Sequence, residues 1–283
     1  MAEDRILVPV DGSTSSLMAE ETAAKIAKKI GATITILYVM KEFRLGHRLP
    51  RNIEEEIAGR VEQEAEKILS EARMLFMEEG VATESKIIRW RDPAESILEF
   101  SKDYDLIVIG AHGENEKDPT ALGSVTKKVV RYAKKPVLIA KNVSMLSSIL
   151  ACVDGSEHAI NALKYGIQLA EKMGSNITLL NVQEKKMFEY APDIIKDLGG
   201  KILSKAAEAI GETQLKINEK MEVGVPSDVI VKVAEEGNYD LIIMGSRGLG
   251  KVKRFLFGSV SEDVSYKAKC SVLIVPAKVD KTF

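Results

Sequence analysis

A glycine pattern occurs twice in this chain with the same internal spacing. Gly110, Gly113 and Gly123-Ser124 form one copy, and Gly245, Gly248 and Gly258-Ser259 form the other; each reads G-x2-G-x9-G-S. Every position is displaced by 135 residues between the copies. Each copy follows an apolar run, Leu106 to Ile109 or Leu241 to Met244, and precedes an apolar-periodic segment that starts at Ser124 or Ser259. A strand, a glycine loop and a helix N-terminus in succession can hold a phosphate, because the first helical N–H groups and the helix dipole face the anion. The competing reading is a tight turn and a helix cap with no ligand.

The repeat extends beyond the glycines. Ile6 to Ser13 matches Ile149 to Ser156 at an offset of 143, and Gly31 and Gly174 keep that offset, each closing a helix-like pattern. Tyr104-Asp105-Leu106-Ile107 matches Tyr239-Asp240-Leu241-Ile242, and Lys135 to Ile139 matches Cys270 to Ile274, both at 135. The offset shrinks by 8 residues between the second strand and the fourth, so the second copy is shorter there. A repeat of this size means two related domains, 1–143 and 144–283, not a solenoid of short units.

Within the first copy the strands are expected at about 5–10, 33–39, 83–88, 105–110 and 136–140. Leu106 to Ile109 is continuously apolar, as in a parallel strand covered on both faces. Between the strands, Ala19, Ala23, Ile26, Ala27 and Ile30, then Ile53, Ile57, Val61, Ile68, Ala72 and Leu75, recur at helical spacing. Pro93 and Pro226 stand where a helix should begin. Strand–helix alternation implies right-handed crossovers and a parallel, doubly wound α/β sheet. Asn142 to Ser148 is a short polar linker, so the two domains should pack together.

The composition is that of an ordinary soluble protein: 283 residues, 45% apolar, 29% charged. A net charge of −2 gives no general attraction to nucleic acid or an anionic membrane. No apolar stretch approaches the ~20 residues of a transmembrane helix. The start, Met1-Ala2-Glu3-Asp4-Arg5, lacks a signal peptide's basic and apolar regions. Cys152 and Cys270 sit in strand-like runs and are expected to be reduced thiols of a cytoplasmic protein.

In a doubly wound sheet the ligand lies beyond the carboxyl ends of the strands, where strand order reverses. The end of strand one (Asp11, Asp154), the end of strand two (Val39, Val182) and the glycine loop should meet there. Gly110 and Gly245 would permit close backbone approach. Gly113 and Gly248 would supply positive φ, and Gly123 and Gly258 would leave room for phosphate. Ser124 and Ser259 would cap the last helix. Asp11 and Asp154 either accept a hydrogen bond from adenine or ribose, or cap the first helix with Ser13 and Ser156. The loops differ in charge. Leu249 to Phe257 carries Lys251, Lys253 and Arg254 with no acid, and Arg247 precedes it, whereas Glu114 to Leu122 carries Glu114, Glu116 and Asp118 against Lys117. If these charges meet the ligand, the second site holds polyphosphate better; otherwise they are solvated. His112, the counterpart of Arg247, either contacts phosphate or is an exposed turn residue. Trp90 reads as packing or interface. No catalytic set, no metal-ligand spacing and no GxxxxGK[ST] loop stands out.

On these residues the chain resembles a tandem universal stress protein. The resemblance spans about 5–141 and 148–277. It rests on VPVDGS and ACVDGS, YDLIVIGAHG and YDLIIMGSRG, GSV at the last helix, and KPVLIA and CSVLIVP at the close. The G-x2-G-x9-G-[ST] signature is that of the family's ATP-binding branch. The resemblance implies two Rossmann-like domains of the adenine nucleotide alpha hydrolase type. Each would have a five-stranded parallel sheet of order 3-2-1-4-5, with ATP or AMP, with or without Mg2+, at the ends of strands one, two and four. It places Asp11 or Asp154 at adenine or ribose and Val39 or Val182 in the adenine pocket. Gly110, Gly113, Gly123 and Ser124, or Gly245, Gly248, Gly258 and Ser259, would hold ribose and phosphates. Pro9, Val125, Met244, Arg247 and Val260 join the site on the same ground. Family members dimerise through strand five; here that contact would form within one chain, and a homodimer of the full chain is allowed beside it. The function implied is a nucleotide-binding regulatory module of the stress response with an unidentified protein partner. Two rivals stand beside it: a slow ATPase or autophosphorylating enzyme, and a scaffold with vestigial sites.

Overall fold

The computed structural model describes residues 4–41, 51–113, 122–248, 257–277 and 279. The first half runs β1 (Arg5–Val10), α1 (Thr14–Ile30), β2 (Thr33–Lys41), α2 (Arg51–Glu78), β3 (Thr83–Arg91), α3 (Pro93–Phe100), β4 (Leu106–Gly110), α4 (Ser124–Tyr132) and β5 (Val137–Ala140). The second runs β6 (Ser148–Cys152), α5 (Glu157–Met173), β7 (Asn176–Glu184), α6 (Lys185–Tyr190), α7 (Pro192–Ile210), β8 (Ile217–Gly224), α8 (Pro226–Glu236), β9 (Leu241–Gly245), α9 (Ser259–Lys267) and β10 (Ser271–Val275). The short helix α6 has no equivalent among the described residues of the first half.

Local signals set these boundaries. Ser13 and Ser156 are the N-caps of α1 and α5, accepting hydrogen bonds from the N–H groups of Ser16 and Ala159. Gly31 and Gly174 end the same helices in the left-handed conformation, at φ 71° and 72°. Pro93 and Pro226 open α3 and α8 in the first turn, where no intrahelical N–H is lost.

The ten strands form one sheet in the order β3-β2-β1-β4-β5-β10-β9-β6-β7-β8. Each half therefore has the order 3-2-1-4-5 counted in its own strands. Every pairing is parallel except the central one, where β5 and β10 run antiparallel with Leu138 opposite Leu273. These two leucines are repeat equivalents, so the halves meet about an approximate twofold axis. Strand five of each half is consumed inside the chain, which closes the edge most open to a partner. The outer edges, β3 and β8, carry Glu84, Lys86, Arg89 and Arg91, or Glu219, Lys220 and Glu222, charges that discourage further strand addition.

Helices cover both faces. One apolar layer joins α1, α2, α5 and α7 to the sheet, with Phe76 and Tyr165 wholly buried. The other joins α3, α4, α8 and α9 through Ile97, Val129, Val233 and Val264. Cys270 is buried and Cys152 partly covered, and both are free thiols. Burial pushes the Cys270 thiol up to about 11 and Cys152 higher still, so neither is a thiolate at neutral pH. Among the described residues, no helix is long and apolar enough to cross a membrane.

The seam between the halves is not symmetric in charge. Arg131 donates to Glu262 at 2.7 Å, Lys127 lies 3.8 Å from the same carboxylate, and the Lys127 ammonium sits 5.2 Å from the Tyr266 ring centroid. Lys127 is the repeat equivalent of Glu262, and Arg131 of Tyr266. One half thus contributes two cations, the other an acid and a ring, and pairing two first halves would oppose cation to cation. Lys141 donates to the carbonyls of Tyr266 at 3.1 Å and Ala268 at 2.7 Å, capping the C-terminal end of α9. Its burial lowers the ammonium to about 8. Tyr165 donates to the Asp105 carbonyl at 3.3 Å, and Lys172 pairs with Asp4 at 2.8 Å. Glu262→Lys is expected to lower the urea midpoint by an amount equivalent to about 1 kcal/mol. Arg131→Glu in the same chain should recover most of it; an unchanged midpoint in the single variant would show a seam indifferent to this charge.

Candidate functional site

Strand order reverses at β1 and again at β6, each flanked by strands whose crossovers leave in opposite directions. The crevice beyond these strand ends is built alike in both halves. β1 ends at Val10 and the chain turns through Asp11-Gly12-Ser13 into α1. The turn needs a left-handed residue, supplied by Gly12 at φ 80° and by Gly155 at φ 84°. Asp11 Oδ1 accepts the Ser13 N–H at 3.1 Å, and Asp154 Oδ1 accepts the Ser156 N–H at 2.9 Å. Each aspartate thus braces the turn with one oxygen, while the adjacent serine does the helix capping.

The second carboxylate oxygen faces the glycine loop. A Cβ on Gly113 would lie 3.0 Å from Asp11 Oδ2, and one on Gly248 would collide with Asp154 Oδ2. Gly113 and Gly248 do not have positive φ, contrary to the expectation from sequence; a side chain there would instead crowd the aspartate, tightly at 113 and severely at 248. Gly110 and Gly245 give close backbone approach, but to the protein's own helices α1 and α5. A Cβ on Gly110 would lie 2.6 Å from the Ser15 carbonyl carbon and oxygen, and one on Gly245 3.0 Å from those of His158.

Gly123 and Gly258 are themselves the N-caps of α4 and α9, with no side-chain cap hydrogen bond. Ser124 and Ser259 are the first helical residues and are exposed, not the capping residues expected from their type. The reason lies in the loop. Gly123 N–H donates to the Ala111 carbonyl at 2.8 Å and Gly258 N–H to that of Ser246 at 2.7 Å, which fixes both glycines in extended backbone. A Cβ on Gly123 would also press on His112 Cα and Gly113 N at 3.3 Å. Two hydroxyls that sequence reading passed over complete the loop: Thr126 donates to the Gly110 carbonyl at 2.7 Å and Ser261 to that of Gly245 at 2.8 Å. Their signal was the repeat itself, since they too lie 135 residues apart.

The remaining expected residues fall at the same end of the sheet. Pro9 is buried in β1 opposite Leu37 of β2. Val39 and Val182, near the ends of β2 and β7, and Val125 and Val260, in the first turns of α4 and α9, are partly buried against the apolar layer that also contains Met244. Three nitrogens in this region are buried without a hydrogen-bond partner among the described residues: His112 Nδ1, Arg247 Nε and His158 Nδ1. The charged loop residues Glu114, Glu116, Lys117 and Asp118, and Lys251, Lys253 and Arg254, lie outside the described residues.

Beneath the first site is a buried acid. Glu20, 6% exposed, accepts from Ser16 Oγ at 2.9 Å, and Ser16 Oγ accepts the Asp11 N–H at 3.3 Å. Burial raises Glu20 to about 7; the Ser16 hydrogen bond opposes the rise, and the charges of Asp11, Glu21 and Glu71 add to it. The equivalents in the second half are Leu163 and Ala159, both apolar.

Two other features are not part of this crevice. A groove of about 500 Å3 lies at the opposite end of β1, lined by Arg5, Glu84, Phe100 and Tyr104 among others. Its charges are already matched, with Arg5 3.6 Å from Glu84 and 4.6 Å from the Tyr104 ring centroid. Trp90, read from sequence as packing or interface, is not packed: it is 39% exposed at φ 57°, beside a register shift between β2 and β3. The shift accommodates one extra residue on the edge strand and turns the indole outward.

The comparison with known proteins agrees with this architecture. The family model described as "Universal stress protein family" matches residues 3–141 and again 145–276. The chain is 24% identical to universal stress protein Slr1230 of Synechocystis, over 95% of this chain and 98% of that one. It is 31% identical to universal stress protein MJ0531 of Methanocaldococcus jannaschii, over 49% of this chain and 86% of that one. The crystal structure of a universal stress protein from Archaeoglobus fulgidus superposes with a TM-score of 0.75 at 26% identity, covering 98% of this chain and all of that one. With two matched units in one paired sheet, the chain belongs to the universal stress protein family.

Proposed function

We propose that each half, 1–143 and 144–283, binds one adenine nucleotide, ATP or AMP with or without Mg2+, and that occupancy changes the surface offered to a protein partner in a cytoplasmic stress response. The observation that carries this reading is the duplicated meeting of Asp11 with Gly113 and of Asp154 with Gly248 across the strand-order reversal. In each half a carboxylate, a glycine loop and a helix N-terminus without a side-chain cap face the same crevice, the donor and acceptor set a nucleotide needs. The parts divide the ligand between them. Asp11 or Asp154 accepts from the ribose or the adenine amino group, and Val39 or Val182 borders the ring. The first N–H groups of α4 or α9, beside Gly123-Ser124-Val125 or Gly258-Ser259-Val260, face the phosphates, where the helix dipole adds ~0.3–1 kcal/mol. Denaturing the purified chain and separating the released small molecules by chromatography tests this. An adenine nucleotide is expected in the supernatant, or is taken up when supplied; a chain that neither carries nor takes up one is a scaffold.

A further inference from the structure

The two sites share a skeleton but not their polar side chains. Position 112 of the first half is His112 and its equivalent is Arg247; position 15 is Ser15 and its equivalent is His158. In the first half these groups serve the loop itself. Ser15 Oγ accepts the His112 N–H at 3.1 Å, and Ser13 Oγ donates to the His112 carbonyl at 3.5 Å, which ties the strand-four loop to the first turn of α1. His112 Nδ1 alone is left buried without a partner. In the second half no hydroxyl stands at position 158, and two nitrogens are buried without partners among the described residues, Arg247 Nε and His158 Nδ1. Buried polar nitrogens without partners are rare and call for a ligand or water. Here they lie in the loop that ends β9 and in the first turn of α5, which that strand end touches.

From these observations, and resting on the reading that both crevices hold adenine nucleotide, we infer that the two sites are not equivalent. Arg247 and His158 make the second site select the ligand with the longer phosphate chain, a nucleoside di- or triphosphate. The first site, with one imidazole and its serines engaged, does not discriminate by phosphate number. Arginine is a permanent cation with a planar fork of donors that matches phosphate oxygens, and a charge-assisted hydrogen bond of this kind is roughly twice as strong as a neutral one. Arg247 and His158 are thus specificity-determining residues of the second site.

The test uses the full chain, stripped of nucleotide, in calorimetric titrations with ATP and with AMP. The wild-type chain should show two classes of site for ATP and a smaller separation for AMP. Arg247→Ala should weaken the tighter ATP class by about tenfold, the size of one charged hydrogen bond, and change AMP binding far less. Arg247→Lys should recover part of the loss. His112→Arg should tighten the weaker class for ATP, and this gain cannot arise from a damaged fold. An unchanged ATP-to-AMP ratio in Arg247→Ala, or two identical ATP sites in the wild-type chain, would overturn the inference and leave nucleotide binding standing. No saturable binding of either nucleotide would overturn both.

Discussion

Gly110→Ala is expected to destabilise the chain by about 3 kcal/mol, and Gly245→Ala at the equivalent position by about 1 kcal/mol. The new methyl at 110 would lie 2.6 Å from the carbonyl carbon and oxygen of Ser15 and 2.9 Å from its hydroxyl, whereas at 245 the nearest atoms, in His158, are 3.0 Å away. Neither neighbour is a side-chain tip that can swing aside. Relief at 110 requires the first turn of α1 to move away from β4. That would stretch the bond between Ser15 Oγ and His112 N–H and shift the turn that Asp11 braces by accepting the Ser13 N–H. The first site should therefore fail along with the stability, and nucleotide stoichiometry should fall from two to one. Urea unfolding and titration of both variants check this, and equal costs at the two positions would contradict it.

Glu20→Gln is expected to have the opposite sign. A carboxyl raised from 4.5 to about 7 in the folded chain binds more protons folded than unfolded between those values. Its stabilising contribution is complete below about 4.5 and is lost as pH rises through about 7. Above that, a charge is held 6% exposed, facing Asp11, Glu21 and Glu71 with no cation among these neighbours. At 1.36 kcal/mol per pKa unit, the ionised group costs about 3 kcal/mol. The amide keeps an acceptor for the Ser16 hydroxyl and removes the charge. Glu20→Gln should therefore be more stable than the wild-type chain by up to about 3 kcal/mol at pH 8, with the difference nearly gone at pH 4.5. Urea unfolding at the two pH values measures it, and a difference independent of pH would show that Glu20 does not titrate in this range.

Much of this fold was legible in the sequence because its signals are local. Continuous apolar runs mark strands buried on both faces, and Gly31 and Gly174 close helices by the conformation they alone adopt easily. Pairing of β5 with β10 followed from the short linker and the family pattern. The misreadings share a cause: contacts made over long sequence distances. Ser124 and Ser259 have the residue type of N-caps, yet the cap passes to the preceding glycine because Gly123 is fixed by Ala111 and Gly258 by Ser246. Gly113 resembles a turn glycine until Asp11 is placed beside it. Glu20 sits next to the apolar positions of α1, and only packing of α2 over that helix decides that it is buried.

Two adenine-nucleotide sites on one chain should be visible in a calorimetric titration of the nucleotide-free full chain with AMP, the ligand that makes least use of the asymmetric cations. Saturation is expected at two equivalents per chain, falling to one in Asp11→Ala and in Asp154→Ala and to none in the double variant. Saturable binding that survives in the double variant would place the nucleotide elsewhere. No saturable heat with the wild-type chain would mean that neither crevice is a nucleotide site.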